Sequence, residues 1–540
     1  MAPTLFMSFV RRIGGVSALA IVLSAGISAA PVSAQQISAF QQVLAASASE
    51  NEGVGAFYRA NGYQPIWTDG SDIARLRRAA LFDALASAPL HGLPTAGYDI
   101  TGLKSRMGSA RTMADVAKVE AELSTLLVEF STALQFGALK PGRVVSEIKR
   151  EVPYRDAASI LAQFAQMSPA AYFRTLPPQS PEYRALMKQK LIFEREIPAG
   201  GWGPTVQASK LELGQSGPAV VALRDRLVRM GYMGRSLTRG YDRDMKDAVA
   251  RFQADHGLTE DGVAGGDTLR EINVSMEQRL KSVLVAMERE RWTNMPRGDR
   301  HIWVNLTDFT AKVVDDGKVT FVTRSVIGAN KGDRRSPEFS DEMEHMVINP
   351  SWYVPRSIIT KEYLPKLRAN PNAVSHLEIT DSRGRRVNRG SVNFAAYSAR
   401  SFPFSMRQPP SSRNALGLVK FMFPNKYNIY LHDTPQKALF DREVRAYSHG
   451  CIRLAQPFDF AYTLLAAQED DPKGTFHSIL DTGRETKVVL DQKVPVHIVY
   501  RTAVADERGN IDYRRDIYGR DAQIWDALAA RGVALTARGS

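Results

Sequence analysis

The sequence predicts a multidomain α+β fold, and three observations carry that prediction. Its 540 residues are enough for roughly three or four domains at about 150 residues each. Apolar residues recur at helical spacing up to about residue 300 and then give way to short alternating runs typical of strands. Finally, Gly200-Gly201-Trp202-Gly203-Pro204 and a long proline-bearing stretch near 353–412 divide the chain. The parts expected are a helical domain over 35–200, a compact three-helix module over 211–275 and a connecting helix over 276–300. A β-rich domain over 301–503, carrying a lid insertion at about 353–412, and a C-terminal segment over 504–540 complete the chain.

The first 34 residues have the form of an export leader. Arg11-Arg12 precede an apolar run interrupted by Gly and Ser, and Pro31-Val32-Ser33-Ala34 supplies a small-residue cleavage signal. An uncleaved inner-membrane anchor is the competing reading, although the run is marginal for the ~20 residues a spanning helix needs. On either reading the body of the chain is expected outside the cytoplasm, in the periplasm. Hydrophobic content of 44% and charged content of 24% are ordinary globular values. The formal charge of +13 is scattered, with no run of five Lys or Arg, so nucleic acid is not an expected partner. A polyanionic envelope polymer fits this balance, and so does a basic solvated surface.

In the first domain, residues 116–139 place Val119, Leu123, Leu126, Leu127, Phe130, Leu134 and Phe136 at helical spacing, with Lys140-Pro141-Gly142 as the stop. Phe57-Tyr58 and His91 read as packed loop or cap residues. The module at 211–275 follows a pattern of glycines and apolar positions that agree together: Leu213-Gly214, Gly217, Val220-Val221, Gly231-Tyr232, Phe252-Gln253, Gly257-Leu258, Asp261-Gly262, Gly265 and Thr268-Leu269. That pattern resembles the small peptidoglycan-binding module, and a helical spacer without ligand is the plain alternative. Beyond 301, the runs 302–306 and 312–314 lead into Asp315-Asp316-Gly317-Lys318, a hairpin turn signal, with strand continuing over 319–327. Further strands are expected at 346–348, 418–423, 427–431 and 494–500. A loop as long as 353–412 inside a compact domain is usually a lid or binding element.

Cys451 is the only cysteine, which excludes an internal disulfide and any CxxC redox or zinc centre. Most lone cysteines are small buried hydrophobes. Here Tyr447-Ser448-His449-Gly450-Cys451-Ile452-Arg453 surrounds the thiol, nineteen positions after His432. A thiolate is the attacking species, and only about 3% of an ordinary cysteine is ionised at pH 7, so a neighbouring imidazole is needed as proton acceptor. His449 and His432 compete for that role. His432 is favoured because it ends an apolar strand, whereas Gly450 next to His449 signals a turn. The amides of His449, Gly450 and Cys451 are candidate oxyanion donors, typically worth ~3–4 kcal/mol each.

His432-Asp433-Thr434 with Ser448-His449-Gly450-Cys451-Ile452-Arg453 resembles the YkuD-type L,D-transpeptidase signature, H…[ST]-H-G-C-x-[RN]. Residues Asn349 to Pro355, Asn414-Ala415-Leu416-Gly417, Lys420 to Asn425 and Asp516-Ile517-Tyr518-Gly519 resemble its large periplasmic subfamily with scaffold and peptidoglycan-binding domains. Pro410-Ser411-Ser412 departs from it where a glycine is expected after proline. The resemblance implies that Cys451 forms a thioester with a tetrapeptide stem, releasing D-Ala, and that a second stem's amine resolves it into a 3→3 cross-link. It also implies acylation of Cys451 by carbapenems. By the same resemblance Arg453 meets a substrate carboxylate or a structural partner, and Ser448 positions the turn or His432. Tyr430, Asn414, Gly417 and Lys420 line the donor pocket, with Trp352 at the lid hinge or in the core. Asp433 is a turn residue rather than a third catalytic member. No cofactor or metal is implied, since no HExxH, Walker loop or dinucleotide fingerprint is present. A thiol-dependent carboxypeptidase or wall-anchor hydrolase on the same scaffold, and a non-catalytic peptidoglycan-binding protein, are the alternatives.

Overall fold

The computed structural model describes residues 38–94, 97–506 and 508–535. The leader expected over 1–34 lies outside them, as do residues 536–540 of the C-terminal segment. No helix among the described residues is long and apolar enough to cross a membrane.

The N-terminal domain is built around the helix Met113–Phe136. Thr112 and Asp115 cap it reciprocally, each side chain accepting the other's backbone N–H. Val119, Leu123, Leu127, Phe130 and Leu134 are buried along its length. The helix stops earlier than the sequence predicts. Gly137 turns the chain at φ +99°, where a Cβ would lie 2.6 Å from the Trp292 indole nitrogen. Pro141 instead opens the next short turn, Pro141–Val144. Phe57 and Tyr58 are also helical, buried on Glu52–Ala60 rather than in a loop.

Helices Pro218–Met230, Arg243–Asp255 and Gly266–Ile272 form the small module around Leu223, Leu227, Met245, Val249, Phe252 and Leu269. Buried Gln253 ties its loop together, donating to Asp261, the Val263 carbonyl and Thr268.

The β-rich domain contains β1 (Arg300–Asn305), β2 (Thr310–Asp315), β3 (Lys318–Gly328), β4 (Phe339–Ile348), β5 (Trp352–Tyr353), β6 (Glu378–Thr380), β7 (Ser405–Gln408), β8 (Val419–Met422), β9 (Leu431–His432), β10 (Ala446–Ser448), β11 (Ile452–Leu454) and β12 (Thr486–Val499). Nine strands form one sheet in the order β10-β3-β11-β9-β8-β4-β12-β1-β2, and β2 also pairs with β3, so the sheet closes on itself. The β2–β3 hairpin turns on Asp316 and Gly317, both at positive φ, as the Asp-Gly signal predicts. Ile302, Val304, Met346, Phe421, Leu431 and Ile452 share one core with Phe460, Leu464 and Phe476 of the helices Pro457–Leu465 and Pro472–Leu480.

Residues 427–430 are not strand, in contrast to the sequence reading. Asn425 organises them into a loop: its amide donates to the Phe423 and Ile429 carbonyls while its side-chain oxygen accepts from Tyr427 and Ile429 N–H. Only Leu431 and His432 join the ladder.

The insertion is a folded unit with its own sheet, in the order β5-β7-β6. Its own core contains Ile358, Leu364, Leu367, Ile379, Phe394, Phe402 and Met406.

The helix Met276–Trp292 joins the domains. Every residue from 283 to 292 is buried, so its charges must be paired internally. Arg291 meets Glu288 at 2.6 Å, and Arg289 meets Glu338 at 2.7 Å and Asp521 at 3.0 Å. Tyr183, Leu186 and Phe193 of the N-terminal domain share this helix's core with Ile511, Ile524 and Leu528. The C-terminal segment, with the hairpin 503–513 and the helix Arg520–Ala530, is therefore a part of the central packing.

Candidate active site

Strand register assembles the site. In the β8–β9 pair, Phe421 faces Leu431 and Lys420 faces His432; in the parallel β9–β11 pair, Leu431 faces Ile452 and His432 faces Arg453. Phe421, Leu431 and Ile452 are buried in the core. Side chains alternate along a strand, so Lys420, His432 and Arg453 emerge on the opposite face. Tyr430 and Cys451, each just before one of these strands, line the same cleft. A one-residue slip would send Lys420, His432 and Arg453 into the core.

The sulfur of Cys451 lies against the loop before β9. Its thiol donates to the Asn428 carbonyl at 3.4 Å. Asn428 takes φ +55° to present that oxygen. Cys451 is half-buried and lines the cleft wall beside Tyr430 and Arg453. Burial pushes the thiol up to about 11, against the lowering effects of the Tyr430 N–H and hydroxyl and of Arg453. Tyr430 is held above its ordinary value by burial and by the neighbouring sulfur, with Trp352 acting in the opposite sense. Trp352, on the lid's first strand, lines the same cleft as Tyr430 and the nucleophile.

His432 is buried, and its Nδ1 lies 2.5 Å from the Asp433 carbonyl oxygen. That carbonyl can only accept, so Nδ1 carries the proton and Nε2 keeps its lone pair. Burial and the Arg453 guanidinium push His432 down to about 3. The resting pair is neutral thiol and neutral imidazole. No direct His432–Cys451 hydrogen bond is made among the described residues; Cys451 immediately precedes the strand whose Arg453 faces His432. The Asp433 carboxylate faces away from the ring. It accepts from Leu418 and Thr434 N–H and pairs with Lys437 at 2.6 Å, a turn role.

The turn before Cys451 is held from both sides. Ser448 Oγ donates to the Cys451 carbonyl and accepts from Gly450 N–H at 3.1 Å. Gly450 sits at φ +113°, and a Cβ there would press on Ile429 at 3.3 Å. Of the three amides expected to serve an oxyanion, Gly450 is therefore spent on Ser448. The His449 and Cys451 amides have no acceptor among the described residues. The His449 ring points to the lid, 2.6 Å from Glu362, which also holds Arg334 at 2.7 Å. It is not placed as a base for Cys451.

These groups line a cleft of 1250 Å³ between the sheet and the lid, with Cys451, His432, Ser448, His449, Tyr430, Arg453 and Trp352 in its wall. Asn414, Gly417 and Lys420 are absent from the wall, contrary to the sequence expectation. Buried Asn414 clasps the lid's base, donating to the Pro350, Gln408 and Pro409 carbonyls. Gly417, at φ +61°, admits the Asp433 carboxylate where a Cβ would sit 2.2 Å from its oxygen. Lys420 shares the face of His432 and lowers its basicity from a distance.

The cleft is strongly basic. Arg334 and Lys361 are paired with Glu362 and Asp333, but Lys331, Arg356, Arg413 and Arg453 have no carboxylate partner among the described residues. Arg453 spends one nitrogen on the Gln436 side chain at 2.7 Å, while its buried Nε has no partner. Asn428, Glu362 and Gln436 escaped the sequence reading. Pro424-Asn425 marks a turn, but nothing local says which carbonyl it delivers. Among the described residues, no group of three or more His, Cys, Asp or Glu side chains gathers as a metal site.

A closed mixed sheet, a folded lid, a single thiol and a backbone-held imidazole meet at one cleft. Residues 299–490 match the family model of the L,D-transpeptidase catalytic domain, YkuD. Residues 52–189 match a scaffold domain, and 216–272 match the model described as "Putative peptidoglycan binding domain". These stretches of the chain are thus similar to a YkuD-type L,D-transpeptidase catalytic domain, a scaffold domain and a peptidoglycan-binding module. A Haemophilus influenzae protein described as "Putative L,D-transpeptidase" is 33% identical over 267 residues, 48% of this chain and 53% of that protein. The chain therefore matches about half the length of that curated relative. Among solved structures, an L,D-transpeptidase from Xylanimonas cellulosilytica is 14% identical, covering 54% of this chain and 98% of its own, at a TM-score of 0.17. Another from Stackebrandtia nassauensis is 15% identical, covering 55% and 96%, at a TM-score of 0.22.

Proposed function

We propose that this protein is an exported L,D-transpeptidase that forms 3→3 cross-links in peptidoglycan through a thioester on Cys451. The observation that carries the reading is the arrangement of Cys451, His432 and uncompensated Arg453 on one face of a basic cleft. Stem peptides are rich in carboxylates, and a guanidinium without an ion partner is suited to bind one. The leader pattern over 1–34 supports a periplasmic location.

In the first half-reaction the Cys451 sulfur attacks the carbonyl between the third residue and the terminal D-Ala of a tetrapeptide stem. The thiol proton passes to His432 Nε2 and then to the departing amine, so that D-Ala leaves and a thioester remains. The Cys451 and His449 amides are the available donors for the oxyanion. In the second, the side-chain amine of another stem attacks the thioester and gives up a proton through His432, restoring the thiol. A thiol at about 11 beside an imidazole at about 3 is a neutral pair. Ionisation therefore accompanies attack, once the thiol leaves Asn428 and turns toward Nε2. Apo hydrogen bonds of this kind commonly tighten only in the substrate complex. The same sulfur is the proposed site of acylation by carbapenems.

The test is to incubate the protein with disaccharide-tetrapeptide and weigh the products. Cross-linked dimer with free D-Ala is the expected result. Tripeptide without dimer would replace the reading with a hydrolase, and unchanged substrate with retained binding to sacculi would replace it with a binding protein.

A further inference from the structure

We infer that Ser336 is a positioning residue for the oxyanion site, and that the C-terminal segment acts on the reaction through it. The inference rests on the function proposed above.

Ser336 is fully buried and lies 114 residues before Gly450 in sequence, yet it touches that turn directly. Its Oγ donates to the Gly450 carbonyl at 2.6 Å and accepts from the Gly328 N–H at 2.9 Å. Gly450 C=O and Cys451 N–H belong to a single planar trans peptide, in which the two bonds point in opposite directions. Drawing the carbonyl inward to Ser336 therefore aims the Cys451 N–H outward, to the side on which the cleft lies. On the other side of Cys451, Ser448 holds the next carbonyl. The two serines together fix both peptides flanking the nucleophile.

Ser336 is itself held by the C-terminal segment. Arg520 donates to the Ser336 carbonyl at 2.7 Å, and the Ser336 N–H meets the Tyr518 hydroxyl at 3.4 Å. The Tyr518 hydroxyl donates in turn to the Gly328 carbonyl. The chain crosses itself closely here: a Cβ on Gly328 would lie 2.0 Å from the Arg334 carbonyl oxygen and 2.6 Å from the Ser336 nitrogen. Arg520 also meets Glu338 at 3.0 Å, and Glu338 meets Arg289 of the central helix. A continuous set of buried polar contacts thus runs from that helix to the peptide preceding Cys451. None of these side chains lines the cleft, so their action on the reaction is through the peptide they orient.

The experiment compares two reactions of the same sulfur in the full chain. Alkylation by iodoacetamide needs the thiolate but no oxyanion donor, whereas D-Ala release from disaccharide-tetrapeptide needs both. Ser336→Ala should lower kcat for D-Ala release about tenfold or more, with KM and the alkylation rate each within about twofold of wild type. Tyr518→Phe, which keeps the Ser336 hydroxyl but loosens its support, should shift the same ratio in the same direction by less. D-Ala release at the wild-type rate, or a proportional fall in both reactions, overturns the inference. If Ser336→Ala does not fold, Tyr518→Phe decides: a selective fall in kcat supports the inference and an unchanged ratio overturns it. A wild-type chain that alkylates but yields no D-Ala overturns the proposed function itself, a separate outcome.

Discussion

His449 Nε2 lies 2.6 Å from Glu362 Oε1, joining the catalytic turn to the lid. Glu362 sits on the lid segment Ile359–Tyr363 and holds Arg334 with the same oxygen. The second histidine of the motif thus meets the lid, and His432 is the base in the proposed mechanism.

Substitution separates these roles. His432→Ala should cost about 10²–10⁴-fold in kcat. Glu362→Gln, which breaks a partly exposed pair of the kind usually worth up to about 1 kcal/mol, should raise KM for the tetrapeptide about 2- to 5-fold with little change in kcat. His449→Ala should stay within about tenfold of wild type. Steady-state D-Ala release measures all three, and a His449→Ala loss as deep as that of His432→Ala would contradict the assignment.

The resting protonation state has its own signature. Burial raises the Cys451 thiol to about 11 and lowers His432 to about 3. Between pH 6 and 9 the sulfur is therefore almost wholly protonated and the ring neutral. The thiolate fraction should grow tenfold with each pH unit, and iodoacetamide alkylation should follow with a slope of one on a logarithmic plot. A rate that levels off below pH 8 would indicate a preformed thiolate–imidazolium pair instead.

Arg453 should act on binding. Charge-assisted hydrogen bonds contribute about 1.5–3 kcal/mol, so Arg453→Gln should raise KM for the donor stem about tenfold or more. Amidating the carboxylate that Arg453 meets should weaken binding to wild type and leave the variant nearly unaffected. Equal sensitivity of both proteins to amidation would remove Arg453 from the donor site.

Glu338 bridges Arg289 and Arg520, all three almost wholly buried. Removing one partner from such a cluster typically costs about 3–5 kcal/mol because a buried charge is left uncompensated. Glu338→Gln should therefore lower the urea midpoint of unfolding by a corresponding amount. A loss below about 1 kcal/mol would mean that water reaches the cluster.

The legible parts of the molecule are those whose information is local. Asp316-Gly317 marks its hairpin, the three module helices carry their own apolar faces, and Cys451 with His432 stands inside one short motif. What escaped depends on distant register. Ser336 meets Gly450 across 114 residues and Tyr518 across 182, and Trp352 reaches Tyr430 only because the lid folds back on the sheet. Asn414 and Gly417 lie in a stretch that looks like a pocket wall, yet their side of the chain faces Pro350 and Asp433. The helix Met113–Phe136 ends short of its sequence stop signal for the same reason, since a side chain at Gly137 would collide with the distant Trp292.

The central claim is that the acyl group resides on Cys451. Mixing the protein with a tetrapeptide donor in the absence of acceptor, quenching in acid and mapping the digested chain by mass should place a tripeptide-acyl adduct on the peptide containing Cys451, labile to hydroxylamine and absent from Cys451→Ser. An adduct on another residue, or cross-linking that survives Cys451→Ser, would contradict the account.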